Sequence, residues 1–207
     1  MSNPWLDIPL ADYEGHMASA QVRQSEALSD LFAEALDLRL PASVAVLGVA
    51  GGNGLDRIDS ERTERVVGLD INPRYLDIVR QRYSRLPGLE LHCIDLAEEE
   101  VQLPPVELVH AALVFEHTGT GRCLDNALSL VAEGGALSVV LQLPGETGQN
   151  AGKGGFASTH GLQSLFVLVD PKQFYALLKV RAFELVRERS LSLPAGKAFW
   201  TGIFVRA

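Results

Sequence analysis

Apolar positions along this chain keep two different rhythms. Between residues 17 and 38, Leu28, Leu31, Phe32 and Ala35 recur at three- and four-residue spacing, which gathers them on one helical face; Pro41 ends that helix. The first 16 residues, with Pro4 and Pro9, read as irregular. Val44–Val49 is a short β-branched run that stops at glycines, the pattern of a buried strand entering a turn, and a short helix is expected over 55–58. Arg65–Asp70 makes a second strand. Asn72 can then cap a helix and Pro73 suits its first position, with Leu76, Val79, Tyr83 and Leu86 on the apolar face and Pro87-Gly88 as the stop. Further strands are expected at Leu89–Ile94, Val106–Phe115 and Ala136–Leu143, and helices over 121–132 and 171–179. Phe183–Leu193 and Ala198–Val205 are the last strands, joined around Pro194-Ala195-Gly196. The Gly-rich stretch 145–161 reads as a surface loop.

Strands alternating with helices predict an α/β fold, a doubly wound and mostly parallel seven-stranded sheet with helices on both faces. The final connection is too short for a crossover, so the last two strands cannot pair parallel. One domain is expected, with residues 1–42 as a helical cap and 43–207 as the body.

Charge changes the picture of partners. The 207 residues carry a formal net charge of −8, and the Lys and Arg residues are scattered among acidic ones. A phosphate backbone or an anionic membrane selects a basic face, so neither nucleic acid nor membrane is expected. The two cysteines, Cys93 and Cys123, have no zinc spacing and read as small buried hydrophobes; no metal is expected. Residues 1–16 lack a secretory pattern and no run of 18 apolar residues exists, so a soluble cytoplasmic protein is expected.

The chemistry lies where strands end. In a doubly wound sheet ligands bind beyond the carboxyl ends of the strands. After strand one comes Gly48-Val49-Ala50-Gly51-Gly52-Asn53-Gly54, small residues that permit a tight turn and close ligand approach. Asp70 ends strand two, 18 positions beyond Gly52, the spacing at which a carboxylate can accept ribose hydroxyls. Asp95 follows strand three and could accept from an adenine amine, with Ile71 and Leu96 sandwiching the ring. These sites describe an adenosine pocket. The dinucleotide fingerprint G-x-G-x-x-G fails from either Gly48 or Gly52, and no GK[ST] follows, which disfavours a nicotinamide-dependent oxidoreductase and a P-loop.

Five segments in order, VAVLGVAGGNG (44–54), VVGLDINP (66–73), LHCIDL (91–96), VELVHAALVFEH (106–117) and VAEGGALSVVLQL (131–143), resemble the motifs of class I S-adenosylmethionine-dependent methyltransferases. The resemblance covers roughly half the chain and implies S-adenosylmethionine as cofactor and an antiparallel last strand. It implies that Gly48 and Gly52 make room for the methionine moiety, with Val49 and Ala50 of the same turn as further cofactor-binding candidates, that Asp70 meets the ribose, and that Asp95 and Leu96 meet the adenine. It also implies that the backbone at Ala111 and Ala112 lies near the cofactor. Two positions depart: Val46 stands where the family often has an acidic residue, and Ala50 replaces the middle glycine.

The acceptor is less legible. Methyl transfer is an in-line displacement, and a general base is needed only if the nucleophile arrives protonated. Tyr13, His16 and His117 are the candidates on the acceptor side, while His110 falls inside a strand and reads as a core histidine. Absent motifs for adenine amino methylation and protein arginine methylation leave a small-molecule acceptor by elimination. The alternative is a module that binds S-adenosylmethionine or its demethylated product without turnover.

Overall fold

A computed structural model describes residues 3–19, 23–145 and 166–206. The N-terminal segment is more ordered than its prolines suggested. A single 3-10 turn over Pro4–Leu6 leads to α1 (Leu10–Ala18), which starts directly after Pro9, and α2 spans Gln24–Arg39. The single helix expected over 17–38 is therefore two. Arg23, at φ 46°, takes the left-handed conformation just before α2, which re-aims the chain there.

Seven strands follow the expected order: β1 (Ser43–Leu47), β2 (Arg65–Asp70), β3 (Leu89–Cys93), β4 (Val106–Ala112), β5 (Val131–Leu143), β6 (Phe183–Ser192) and β7 (Ala198–Arg206). They make one sheet in the order β3-β2-β1-β4-β5-β7-β6. The first five pair parallel, and β7 runs antiparallel between β5 and β6. Among the helices, α3 covers Pro73–Arg82, α4 Phe115–Thr118, α5 Arg122–Ser129 and α6 Pro171–Lys179. The Asn72 carboxamide accepts from Arg74 N–H at 3.0 Å, the cap its sequence foretold.

Alternation along the strands divides the core between two faces. Ala45 and Leu47 of β1 join Phe115, Leu124, Ala127, Phe174 and Leu178 from α4, α5 and α6. Val44 and Val46 face the other way, with Phe32 and Ala35 of α2 and Leu76 and Val79 of α3. Helices thus cover both faces, as a parallel sheet requires.

Two boundaries differ from expectation. The strand read to Phe115 stops at Ala112; Leu113, at φ 55°, turns the chain, and Val114-Phe115 enter a one-turn helix. A continuous apolar run carries no period to separate strand from buried helix. The helix read to residue 132 ends at Ser129, and β5 begins at Val131 with a bulge: Val106 pairs with Val131 but Leu108 with Ala136. Gly134, at φ 70°, supplies the left-handed step in that bulge. The expected loop at 145–161 lies outside the described residues after its first position. Cys123 is buried as expected, but Cys93 is exposed at the end of β3, and both are free.

Candidate cofactor site

Strand order reverses between β1 and β4, and the carboxyl ends of β1, β2 and β4 open onto two adjoining cavities there. The first, about 100 Å³, is lined by Gly48, Ala50, Asp70, Ile71, Asp95, Leu96, Ala112 and His117, roofed by Trp5 and Tyr13. The second, about 280 Å³, lies over the β1 turn beneath α1 and α2; Val49, Gly51, Met17, Leu28, Tyr83 and His110 line it. Tyr13, Gly48, Ala50 and Ala112 border both.

Asp70 organises this end of the sheet. One carboxylate oxygen accepts from Ala50 N–H at 2.8 Å and the other from Asn72 N–H at 2.9 Å. It therefore ties the β1 turn to the start of α3, while each oxygen retains a lone pair for a ligand hydroxyl. Burial pushes its carboxyl up, and the N–H groups of Asn72, Ala50 and Ile71 oppose that rise. Asp95 is half-buried and accepts from Ala97 N–H at 3.0 Å, with Leu96 buried beside it.

The turn itself is built on left-handed residues, Gly48 at φ 64°, Ala50 at 45° and Gly52 at 85°. Gly48 and Ala50 border the cavities, whereas Gly52 lines neither. A Cβ on Gly52 would come within 2.5 Å of the Tyr83 ring, and the Tyr83 hydroxyl donates to Gly52 C=O at 2.8 Å. Its need for glycine thus arises inside the protein. Ala112 faces the cavities, but Ala111 points to the opposite face and packs in the core.

Aromatic rings close the first cavity. Trp5 meets Tyr13 edge-on at 5.5 Å and His117 at 5.0 Å, and His117 meets Phe166 at 5.3 Å. Burial and the Asp70 charge push the Tyr13 hydroxyl up to about 12, and burial pulls His117 down to about 4, so both are neutral at physiological pH. His16 lies in the last turn of α1 and borders neither cavity.

The sequence left several participants unmarked. The N-terminal segment is fastened to α3 by Asn72 Nδ2 donating to Trp5 C=O at 2.8 Å and by the Tyr75 hydroxyl donating to Ile8 C=O at 2.9 Å. Arg74 donates to Leu6 C=O, and Arg82 pairs with Glu14 while donating to Gly51 C=O at 3.1 Å. Glu116 is buried next to His117 in the chain; its Oε1 accepts from Gln142 N–H at 2.7 Å, and among the described residues its Oε2 has no hydrogen-bond partner. Only the helical stripe beginning at residue 17 hinted that the N-terminal segment packs on the body. The residue-level fasteners join positions roughly 67 apart, beyond any local pattern.

The fold defines a class. N-methyltransferase NodS from Bradyrhizobium japonicum WM9, solved with S-adenosyl-L-homocysteine, superposes with a TM-score of 0.70 at 15% identity, covering 99% of both chains. Magnesium protoporphyrin IX methyltransferase ChlM from Synechocystis PCC 6803, solved with S-adenosylmethionine, gives 0.67 at 13% identity over 100% of this chain and 98% of its own. The [4+2]-cyclase SpnF gives 0.69 at 12% identity over 91% and 83%. This chain therefore has the Rossmann-like fold of class I methyltransferases. No protein-family model matches its sequence, and no curated protein matches it significantly.

Proposed function

We propose that the chain is an S-adenosylmethionine-dependent methyltransferase acting on a small-molecule acceptor. The observation that carries this reading is the pair of adjoining cavities at the strand-order switch, with the Asp70 carboxylate in one and the β1 turn flooring the other. Asp70 accepts the ribose hydroxyls, Asp95 accepts from the adenine amine, and Ile71 and Leu96 flank the ring. Gly48, Val49, Ala50 and Ala112 leave room for the methionine moiety. S-adenosylmethionine supplies an electrophilic methyl group on a sulfonium sulfur. The chain's task is then alignment and exclusion of water.

Residues 1–42 act as the cap. The cavities together fall at the low end of ~300–1,000 Å³ typical of ligand pockets, so Trp5 and Tyr13 must shift before an acceptor enters. The enclosed shape and net charge of −8 favour a small acceptor over a nucleic acid. ChlM, as named, methylates a magnesium porphyrin, which supports a small-molecule acceptor. Tyr13 and His117 border the place where it would sit, and His16 does not.

A second reading, a binding or non-methylating protein, is favoured by Val46 and by a [4+2]-cyclase on the same fold. Calorimetric titration with S-adenosylmethionine, S-adenosylhomocysteine and NAD tests the cofactor; tight binding of the first two and none of NAD is expected. Incubation with S-adenosylmethionine and pooled small metabolites should then generate S-adenosylhomocysteine. Binding without that product under any pool supports the second reading, and preference for NAD overturns both.

A further inference from the structure

Among the polar residues that line the second cavity, His110 is the one set into the sheet itself, and the cofactor reading has not used it. His110 sits in β4 directly beside Val46 of β1, the two being register partners on one face of the sheet. Both side chains line the cavity over the glycine turn. The imidazole is 4% exposed, so it is enclosed except toward that space. Phe32 of α2 stacks on it at 4.5 Å with 26° between the planes, and its Nδ1 lies 3.0 Å from the Ser138 hydroxyl, which fixes the ring orientation. Among the described residues no group hydrogen-bonds its Nε2, and that nitrogen is not sealed in the core.

The cavity's remaining wall by the sheet is apolar: Val46, Leu47, Val49 and Ala112. Glu14 and Arg82 at its rim already pair with each other. A ligand reaching from the adenosine side past Gly48 would thus meet one open polar side chain at the floor. Beyond its ribose, S-adenosylmethionine carries a sulfonium, an ammonium and a carboxylate. Resting on the cofactor reading above, we propose that His110 Nε2 accepts a hydrogen bond from the ammonium group of the cofactor's methionine end, supplying from β4 the polar contact that Val46 cannot supply from β1. In this assignment the proton of the neutral ring sits on Nδ1, donating to the Ser138 hydroxyl 3.0 Å away, and the Nε2 lone pair is left for the ammonium. Burial holds His110 down to about 4, so the ring stays neutral and does not repel the ammonium.

The test separates the methionine end from the adenosine end with three probes. These are S-adenosylhomocysteine, its decarboxylated analogue, which keeps the amine, and 5′-methylthioadenosine, which lacks both amine and carboxylate. His110→Phe should weaken the first two about tenfold or more and leave 5′-methylthioadenosine within about twofold. His110→Gln, which keeps an acceptor, should recover most of the loss. In the wild-type protein the Nε2 ¹⁵N resonance should shift with S-adenosylhomocysteine and stay put with 5′-methylthioadenosine, a readout that needs no variant to fold. Equal weakening of all three probes, or an unmoved Nε2 resonance, overturns the assignment. Loss confined to the carboxylate-bearing probe also overturns it, by making Nε2 a donor. If the wild-type protein binds none of the three, the cofactor reading itself fails.

Discussion

Replacing Asp70 by Asn tests the centre of the site, because the proposed function gives that one carboxylate a ligand-binding duty beside its structural one. Its two oxygens accept from Ala50 and Asn72 N–H at 2.8 and 2.9 Å, and the residue is 7% exposed. An Asn side chain keeps the shape, but its amide nitrogen must face one of those N–H groups, donor against donor. A hydrogen bond to a charged group is worth ~1.5–3 kcal/mol, so the ligand-free protein should lose about that much stability. Binding should lose a similar amount, because charge-assisted acceptance of ribose hydroxyls disappears; at ~1.4 kcal/mol per decade this is about 10- to 100-fold in Kd. Thermal unfolding without ligand measures the first loss. Calorimetry with S-adenosylhomocysteine, well below the variant's unfolding temperature, measures the second. An analogue lacking both ribose hydroxyls separates them further: it should bind wild type weakly and Asp70→Asn no more weakly. A folded Asp70→Asn protein with wild-type affinity for S-adenosylhomocysteine would refute the ribose assignment, whatever its stability.

Four further outcomes follow from the geometry. Burial lifts the Glu116 carboxyl to about 7, so the folded state holds a proton there that the unfolded chain releases near 4.5; its contribution is fully present below 4.5 and fades as pH rises through 7, by roughly 3 kcal/mol. Glu116→Gln should flatten the fall in melting temperature over that window, and parallel curves for the two proteins would exonerate Glu116. His110 and His117, held down to about 4, act oppositely: their contribution is present above about 6.5 and fades as pH falls toward 4, so stability should peak between these limits. Tyr75→Phe removes the bond to Ile8 C=O, worth ~1 kcal/mol, and should speed proteolysis of the N-terminal 19 residues severalfold without ligand while S-adenosylhomocysteine restores protection; unchanged cleavage would show that this bond does not hold the cap. Gly52→Ala should destabilise the ligand-free protein by at least ~1 kcal/mol, through the left-handed backbone and the Tyr83 ring, as thermal unfolding would report; a variant of full stability that binds poorly would mean that the ligand, and not Tyr83, demands the glycine.

Much of the fold was legible because its signals are local. Strands β1 and β2 show as apolar runs ending at small or acidic residues, and α3 announces itself through Asn72 and Pro73. The same reading set Asp70, Asp95 and the glycine turn at strand ends, which a doubly wound sheet collects in one place. Boundaries failed where sequence lacked a period, as in the run through Ala112 and Phe115, or where a bulge let β5 start five residues before Ala136.

What only the tertiary structure decided are relations between distant positions. Gly52 looked like a ligand-facing glycine, and packing against Tyr83 makes it a structural one. Ala111 and Ala112 are neighbours in sequence, yet the strand's two-residue alternation sends one into the core and the other to the cavities. His110 reads as an ordinary buried histidine until the register sets it beside Val46 and Ser138 and above them an open space. Sequence fixes which residue types stand at strand ends because backbone propensity and burial are written locally. Which side chains meet across strands, and which atoms are left unpaired, depends on sheet order and register, which arise only when the whole chain packs.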